Sequence, residues 1–240
     1  MELQIYKDID DLINALAEAI RKASEEAIAA RGQFNFVLSG GGSPRRLYEL
    51  LASEAYRDKI DWEKTYFFFG DERFVPENDS QRNSLMAKEV LFDPLEIEDS
   101  HICSMDTSGT PMEAAQTYAD AIATHFSHKT IEFDFILLGL GDNAHTASLF
   151  PNTAVLREEE ATVKSEFIKE VDMYRITMTA PLINQAHNIA FLVFGKNKAE
   201  AVYRVLEDKA GTVAMYPARL INSSRKKVVW YLDTAAASKL

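Results

Sequence analysis

The chain has 240 residues, 47% of them hydrophobic, which suffices for one large α/β domain with a full core. Its formal net charge of -11 and pI near 5.0 argue against duplex nucleic acid or an anionic membrane as partner, since both require a basic face. A small anionic substrate stays open, because a local cluster of Arg and Lys outweighs the global charge.

Gln4–Tyr6 reads as a short edge strand. From Ile9, apolar residues at Leu12, Ile13, Leu16, Ile20, Ala23, Ala27 and Ile28 keep helical spacing, which predicts an amphipathic helix to about Ala30. Phe34–Leu38 is a compact strand, followed by Ser39-Gly40-Gly41-Gly42-Ser43-Pro44. Ser43 is expected as N-cap and Pro44 as first residue of a helix carrying Leu47, Leu50 and Leu51. Thr65–Phe69 is a buried strand ending in Gly-Asp-Glu-Arg. A polar loop, 76–82, then leads to a helix through Leu85, Val90 and Leu91. Thr110-Pro111-Met112-Glu113 is a capping box that opens a helix to about Phe126. Strand Phe133–Leu138 follows. Val163–Phe167 and Tyr174–Thr179 are expected to pair antiparallel. Asn188–Phe194 is a strand, Ala199–Leu206 a helix and Val228–Leu232 the last strand. Strand and helix alternate with short connections and no internal repeat. The expected fold is therefore one Rossmann-like α/β domain over residues 1–240, a largely parallel sheet with helices on both faces.

One cysteine, Cys103, rules out an intrachain disulfide. The acidic N-terminus has no apolar segment of signal-peptide type, and no stretch reaches membrane-span length. Cytoplasmic placement is the expectation.

Four constellations carry chemistry. The glycines of 39–44 allow close backbone approach to a ligand, and the helix after them offers free N–H groups to an anion; without a ligand the same loop is a tight turn. No Lys-Ser or Lys-Thr follows at Walker A spacing. Asp71-Glu72-Arg73 can orient a polyol and hold an anion, or form a solvated loop with a local ion pair. Gly139–Ala144 matches G-x-G-x-x-A literally, but Pro151 and the polar run 152–160 exclude the long helix a dinucleotide site requires. His145 follows that glycine-rich strand end. A lone histidine is as a rule structural, but its place beside Thr146 and Ser148, at the carboxyl edge of a sheet, points to proton transfer. Arg175 and Lys198 lie near expected strand ends and suit phosphate, although each alone reads as a surface charge. The remaining histidines show no metal-ligand spacing with His145 or Cys103, so no metal is expected.

Taken together, the segments resemble the 6-phosphogluconolactonase family, within the superfamily shared with glucosamine-6-phosphate deaminase. The resemblance rests on SGGGSP at 39–44, GDERFVP at 70–76 with Asn83 and Ser84 beyond, and HTASLFP at 145–151. It continues in RITMT at 175–179, FGKNKA at 194–199 and PARLI at 217–221. HTASLFP is the most specific piece; the deaminase branch resembles HIAFNEP there. The resemblance implies hydrolysis of 6-phosphoglucono-δ-lactone to 6-phosphogluconate in the pentose phosphate pathway, with no cofactor and a phosphorylated sugar lactone as ligand. It implies His145 as general base, with Asp71 and Arg73 beside it. Arg175 and Lys198 match phosphate-holding positions, and Gly41, Gly42 and Ser43 or the Arg73 guanidinium stand as candidate oxyanion donors.

The family commonly carries Asp-Gly just before this histidine, where the chain has Asn143-Ala144. Either Asp142 orients the imidazole through a shifted backbone, or Asn143 does so without charge. Ala144 would be strained if that turn needs positive φ. Two rival readings stand beside the lactonase: an amino-sugar-phosphate deaminase or isomerase, and a non-catalytic sugar-phosphate-binding protein in which His145 only donates or accepts a hydrogen bond.

Overall fold

The computed structural model describes residues 1–222 and 227–240. Its strands are β1 (Glu2–Tyr6), β2 (Phe34–Leu38), β3 (Thr65–Phe69), β4 (Asp71–Arg73), β5 (Phe135–Leu138), β6 (Val163–Ile168), β7 (Met173–Met178), β8 (Asn188–Val193) and β9 (Lys227–Asp233). The helices are α1 (Ile9–Arg31), α2 (Gly42–Leu51), α3 (Asn83–Ala87), α4 (Asp93–Leu95), α5 (Pro111–His125), α6 (Ala180–Ile183) and α7 (Ala199–Leu206). Six strands form one parallel sheet in the order β1-β9-β8-β5-β2-β3. This is the mostly parallel α/β architecture expected from the alternation of elements.

Burial on both faces explains the apolar runs of the central strands: every residue of β2 and β5 is buried. Helix α1 packs over β1, β2 and β9. Its buried stripe is the set read from spacing, Leu12, Ile13, Leu16, Ile20, Ala23 and Ala27. It stops at Gly32, where φ is 81° and the N–H returns to the Ile28 carbonyl. The capping box at Thr110 forms both its bonds, to and from Glu113.

Chain order reverses at the centre of the sheet. From β2 the chain steps outward to β3, then returns past β2 to β5 and proceeds to β8 and β9. The crevice outside the carboxyl ends of β2 and β5 is thus a topological switch point, where open α/β sheets take ligands.

Three local expectations are corrected. Residues 71–73 are not a solvated loop: they form β4, which pairs antiparallel with β7 in a second sheet ordered β4-β7-β6. Ser43 is not the N-cap of α2. Gly41 occupies that position at φ 103°, a conformation side chains resist, and no side chain caps the helix. The segment after residue 82 is a short α-helix running through a π turn at Lys88–Phe92 into α4.

The second sheet is anchored by a buried acid. Glu72 is 1% exposed, and its carboxylate accepts from the backbone N–H groups of Arg73 (2.9 Å), Asn83 (2.7 Å) and Ser84 (2.8 Å). It thereby caps α3 from outside that helix, with the buried Arg82 guanidinium 3.8 Å away. Strand alternation turns Glu72 inward and leaves Asp71 and Arg73 on the opposite face. Glu72→Ala strands two helix-terminal donors and a buried cation. Urea unfolding should register a loss of at least about 3 kcal/mol, whereas Glu77→Ala in the neighbouring exposed loop should stay within about 0.5 kcal/mol.

Candidate active site

Loops from three parallel strands, β2, β5 and β8, and one face of the small sheet enclose a cavity of about 700 Å³ at the switch point. After β2 comes the glycine turn. Tyr48 is fully buried, and its hydroxyl donates to the Ser39 carbonyl (2.8 Å) while accepting from the Ser39 N–H (2.9 Å). Both polar groups at the strand end are thus satisfied inside the fold, and the following residues turn into the cavity. The first-turn N–H groups of Gly42 and Ser43 find no backbone acceptor, as at any helix start, and both residues line the cavity. A Cβ at Gly40 would overlap the Asn83 amide, so this close approach needs glycine. Asn83 Nδ2 donates to the Asp71 carbonyl at 2.9 Å and so ties the start of α3 to β4, with the glycine turn packed against it.

After β5 the chain makes the turn that presents His145. The Ala144 N–H bonds the Gly141 carbonyl (2.9 Å), and the Gly141 N–H bonds the His145 carbonyl (2.8 Å). Ala144 takes φ 64° and is fully buried. The turn does require positive φ, which costs about 1–2 kcal/mol for a non-glycine residue. The surrounding bonds, including Ala218 N–H to the Ala144 carbonyl at 3.0 Å, hold it there. Gly141 has its own steric reason: a Cβ would overlap the imidazole.

The imidazole lies flat on Phe150, with centroids 3.9 Å apart and planes 15° from parallel. Its Nδ1 meets Asn143 Oδ1 at 2.5 Å, and the same oxygen accepts the His145 backbone N–H at 3.2 Å. An atom that accepts from a backbone N–H is an oxygen acceptor, so Nδ1 is the ring donor and carries the hydrogen. The Nε2 lone pair then faces the cavity, with no hydrogen bond among the described residues. Desolvation is the main cause that pushes His145 down to about 4; nearby Lys198 and Arg175 lower it further, against the raising effect of Asp71 and Asp142.

Asn143, not Asp142, therefore orients the ring. Asp142 is turned the other way, its carboxylate 2.6 Å from Lys198 Nζ. Asp71, 8% exposed, accepts from Ser148 Oγ at 2.6 Å, which joins β4 to the histidine loop. Arg73 and Arg175 stand directly opposite each other in the β4–β7 register. Each has a buried Nε with no partner among the described residues, and burial lowers the pKa of Arg175. Two like charges at facing positions repel, and an anion between them would relieve that repulsion.

Of the residues singled out from sequence, Gly41, Gly42, Ser43, Asp71, Arg73, Asp142, His145, Arg175 and Lys198 all line the cavity, while Asn143 lies behind the ring. Sequence reasoning missed Phe150 and Asn83 as site residues, and no periodicity signals either one. Among the described residues, no cluster of three or more His, Cys, Asp or Glu could hold a metal ion, and no helix is long and apolar enough to cross a membrane.

Comparison with known proteins agrees with this architecture. Residues 7–230 match the family model described as glucosamine-6-phosphate isomerases/6-phosphogluconolactonase. The 6-phosphogluconolactonase of Synechocystis sp. is 40% identical over 100% of this chain and 98% of its own length. That of Streptomyces coelicolor is 34% identical over 100% and 94%. Among solved structures, 6-phosphogluconolactonase from Trypanosoma brucei superposes with a TM-score of 0.84 at 28% identity, covering 100% of this chain and 98% of that one. The sheet order, the histidine turn and the full-length matches place this chain in the glucosamine-6-phosphate isomerase/6-phosphogluconolactonase family.

Proposed function

We propose that the chain hydrolyses 6-phosphoglucono-δ-lactone to 6-phosphogluconate, a step of the pentose phosphate pathway, with His145 as general base. The observation that carries this reading is a neutral imidazole whose Nδ1 is bound at 2.5 Å and whose Nε2 faces a cavity whose lining includes the cations Arg73, Arg175 and Lys198. A phosphorylated lactone needs both features: a base for water and a cationic wall for the phosphate.

In the proposed reaction, Nε2 takes a proton from water as the water oxygen attacks the lactone carbonyl. The carbonyl oxygen becomes an oxyanion. The first-turn N–H groups of Gly42 and Ser43, or the Arg73 guanidinium, donate to it. The tetrahedral intermediate then breaks its bond to the ring oxygen, and the imidazolium returns the proton to that oxygen. Asp71 stabilises the transient imidazolium, since it is the leading charge that favours protonated His145. Arg175 and Lys198 hold the phosphate; Lys198 exchanges Asp142 for it. Phe150 favours the lactonase over the deaminase reading. It stacks on His145 at the place where HIAFNEP carries glutamate, so a second acid is missing from that face of the ring.

His145→Ala should lower kcat by about 10²–10⁴-fold while 6-phosphogluconate binds nearly as tightly as before. The measurement is a coupled assay on freshly prepared lactone, corrected for spontaneous hydrolysis. Because kcat/KM reports the free enzyme, its acid limb should fall near pH 4, with a flat response above about pH 5. The linked stability has a definite sign. The folded state holds this proton less tightly than the unfolded chain, whose value is 6.5. The contribution of His145 to stability is therefore complete above pH 6.5 and lost as pH falls to about 4, a window that His145→Gln should remove from the urea midpoint.

Arg175→Ala and Lys198→Ala should raise KM for the phosphorylated lactone by about tenfold or more and leave unphosphorylated gluconolactone within about twofold. Equal effects on both substrates would take these cations out of the phosphate site. Asp142→Asn releases Lys198 from its ion pair and should lower KM for the phosphorylated substrate alone.

A further inference from the structure

Asn143 makes another hydrogen bond that the proposed reaction leaves unused. Its Nδ2 donates to Glu170 Oε2 at 2.9 Å. Glu170 lies in the 3-10 turn Lys169–Val171, which joins β6 to β7 at the tip of their hairpin. Val171 of the same turn lines the cavity. The hairpin tip thus reaches behind the histidine from a different part of the chain.

The geometry points to Glu170 as a positioning residue for His145, acting through the Asn143 amide to hold the ring in its Nδ1–H form. The inference follows from donor and acceptor counting. A carboxylate only accepts, so Glu170 takes the NH₂ end of the amide and leaves Oδ1 toward the ring. The His145 backbone N–H only donates, and it selects the same Oδ1 at 3.2 Å. Both ends impose one amide orientation, and that orientation imposes one tautomer.

Charge supports the same assignment. Asn143 stands where the family commonly has aspartate, and an amide carries no charge. Asp142 is engaged by Lys198 at 2.6 Å. Glu170 has no other hydrogen bond or ion pair among the described residues, so its carboxylate is given wholly to Asn143. Its negative charge stands one amide away from the ring. The other charges around the ring are Asp71 from β4, Arg175 from β7, Asp142 from the histidine loop and Lys198 from the turn before α7. None of them bonds Nδ1.

The kinetic consequence rests on the lactonase reading; the tautomer does not. The test is ¹⁵N-histidine NMR on the full chain, together with kcat, KM and pH profiles, for the parent and for Glu170→Gln, Glu170→Ala and Glu170→Lys. Glu170 is exposed, so all three should keep the parental melting temperature. Glu170→Lys offers only donors, which compete with the His145 backbone N–H for Oδ1; it should move part of the His145 signal to the Nε2–H form and lower kcat in proportion at constant KM. Glu170→Gln keeps a bond but loses the charge. It should lower kcat about fivefold and move the acid limb of kcat/KM to lower pH, in line with about 1 kcal/mol for an exposed pair. In an Asn143→Asp background, where a carboxylate meets the ring directly, the loss from Glu170→Gln should vanish. A parental tautomer in Glu170→Lys, or parental kcat and pH profile in Glu170→Gln, overturns the assignment. A parent that does not hydrolyse the lactone removes the functional reading instead, and the NMR result still decides the role of Glu170.

Discussion

The site depends on which imidazole nitrogen is free, and a single oxygen settles that. Asn143 Oδ1 binds both the backbone N–H and Nδ1 of His145, so the ring and the turn that carries it are held by one atom. Were Nδ1 the bare nitrogen, the lone pair would point back into the protein and the cavity would face an N–H. Everything else around the ring supports this arrangement. Gly141 leaves room for the imidazole, Phe150 fixes its plane, and the strained backbone of Ala144 closes the turn beneath it. For the proposed general base, the cost of that strain is small beside the loss of a lone pair aimed at the wrong side.

A second constraint is charge. The chain carries a net charge of -11, yet its cavity gathers Arg73, Arg175 and Lys198. Cations so close destabilise one another, and Lys198 and Arg175 lower the basicity of His145. The fold contains this in two ways. Acids sit within reach, with Asp142 on Lys198 and Asp71 near the ring. The β4–β7 pairing also fixes the backbone of the two arginines at facing positions, so an anion between them would relieve repulsion at a site whose backbone is already in place. In the proposed reaction, binding and protonation would thereby be coupled: a phosphate that neutralises these cations would favour the imidazolium that a general base must form.

The small sheet makes this possible. It is too short to be a layer of its own, but it carries Asp71 and Arg73 on one strand and Arg175 on the next, and its hairpin tip bears Glu170. Glu72, buried between them, ties the sheet to α3 through the backbone N–H groups of Asn83 and Ser84. Cavity chemistry and local stability therefore share one strand, divided between its two faces by simple alternation.

The amino-acid sequence by itself determined the parallel α/β class, the position of nearly every strand and the carboxyl-edge loops. These follow from local quantities: apolar runs long enough for a strand, helical spacing in α1, the capping box at Thr110 and glycines after strands. It also singled out His145, Arg73, Arg175, Lys198 and the glycine turn as one group, through their motifs. Only the tertiary structure decided their partners. Asp142 and Asn143 are adjacent in the chain, and nothing local says that one turns to Lys198 and the other to the ring. That choice depends on where the loop after β8 lies relative to the loop after β5. The pairing of Arg73 with Arg175 needed β4 to be a strand, and three residues are too few for a periodic signal. Glu170 reaches Asn143 across 27 positions because a hairpin folds back over the cavity, a relation of space that no pattern of neighbours encodes.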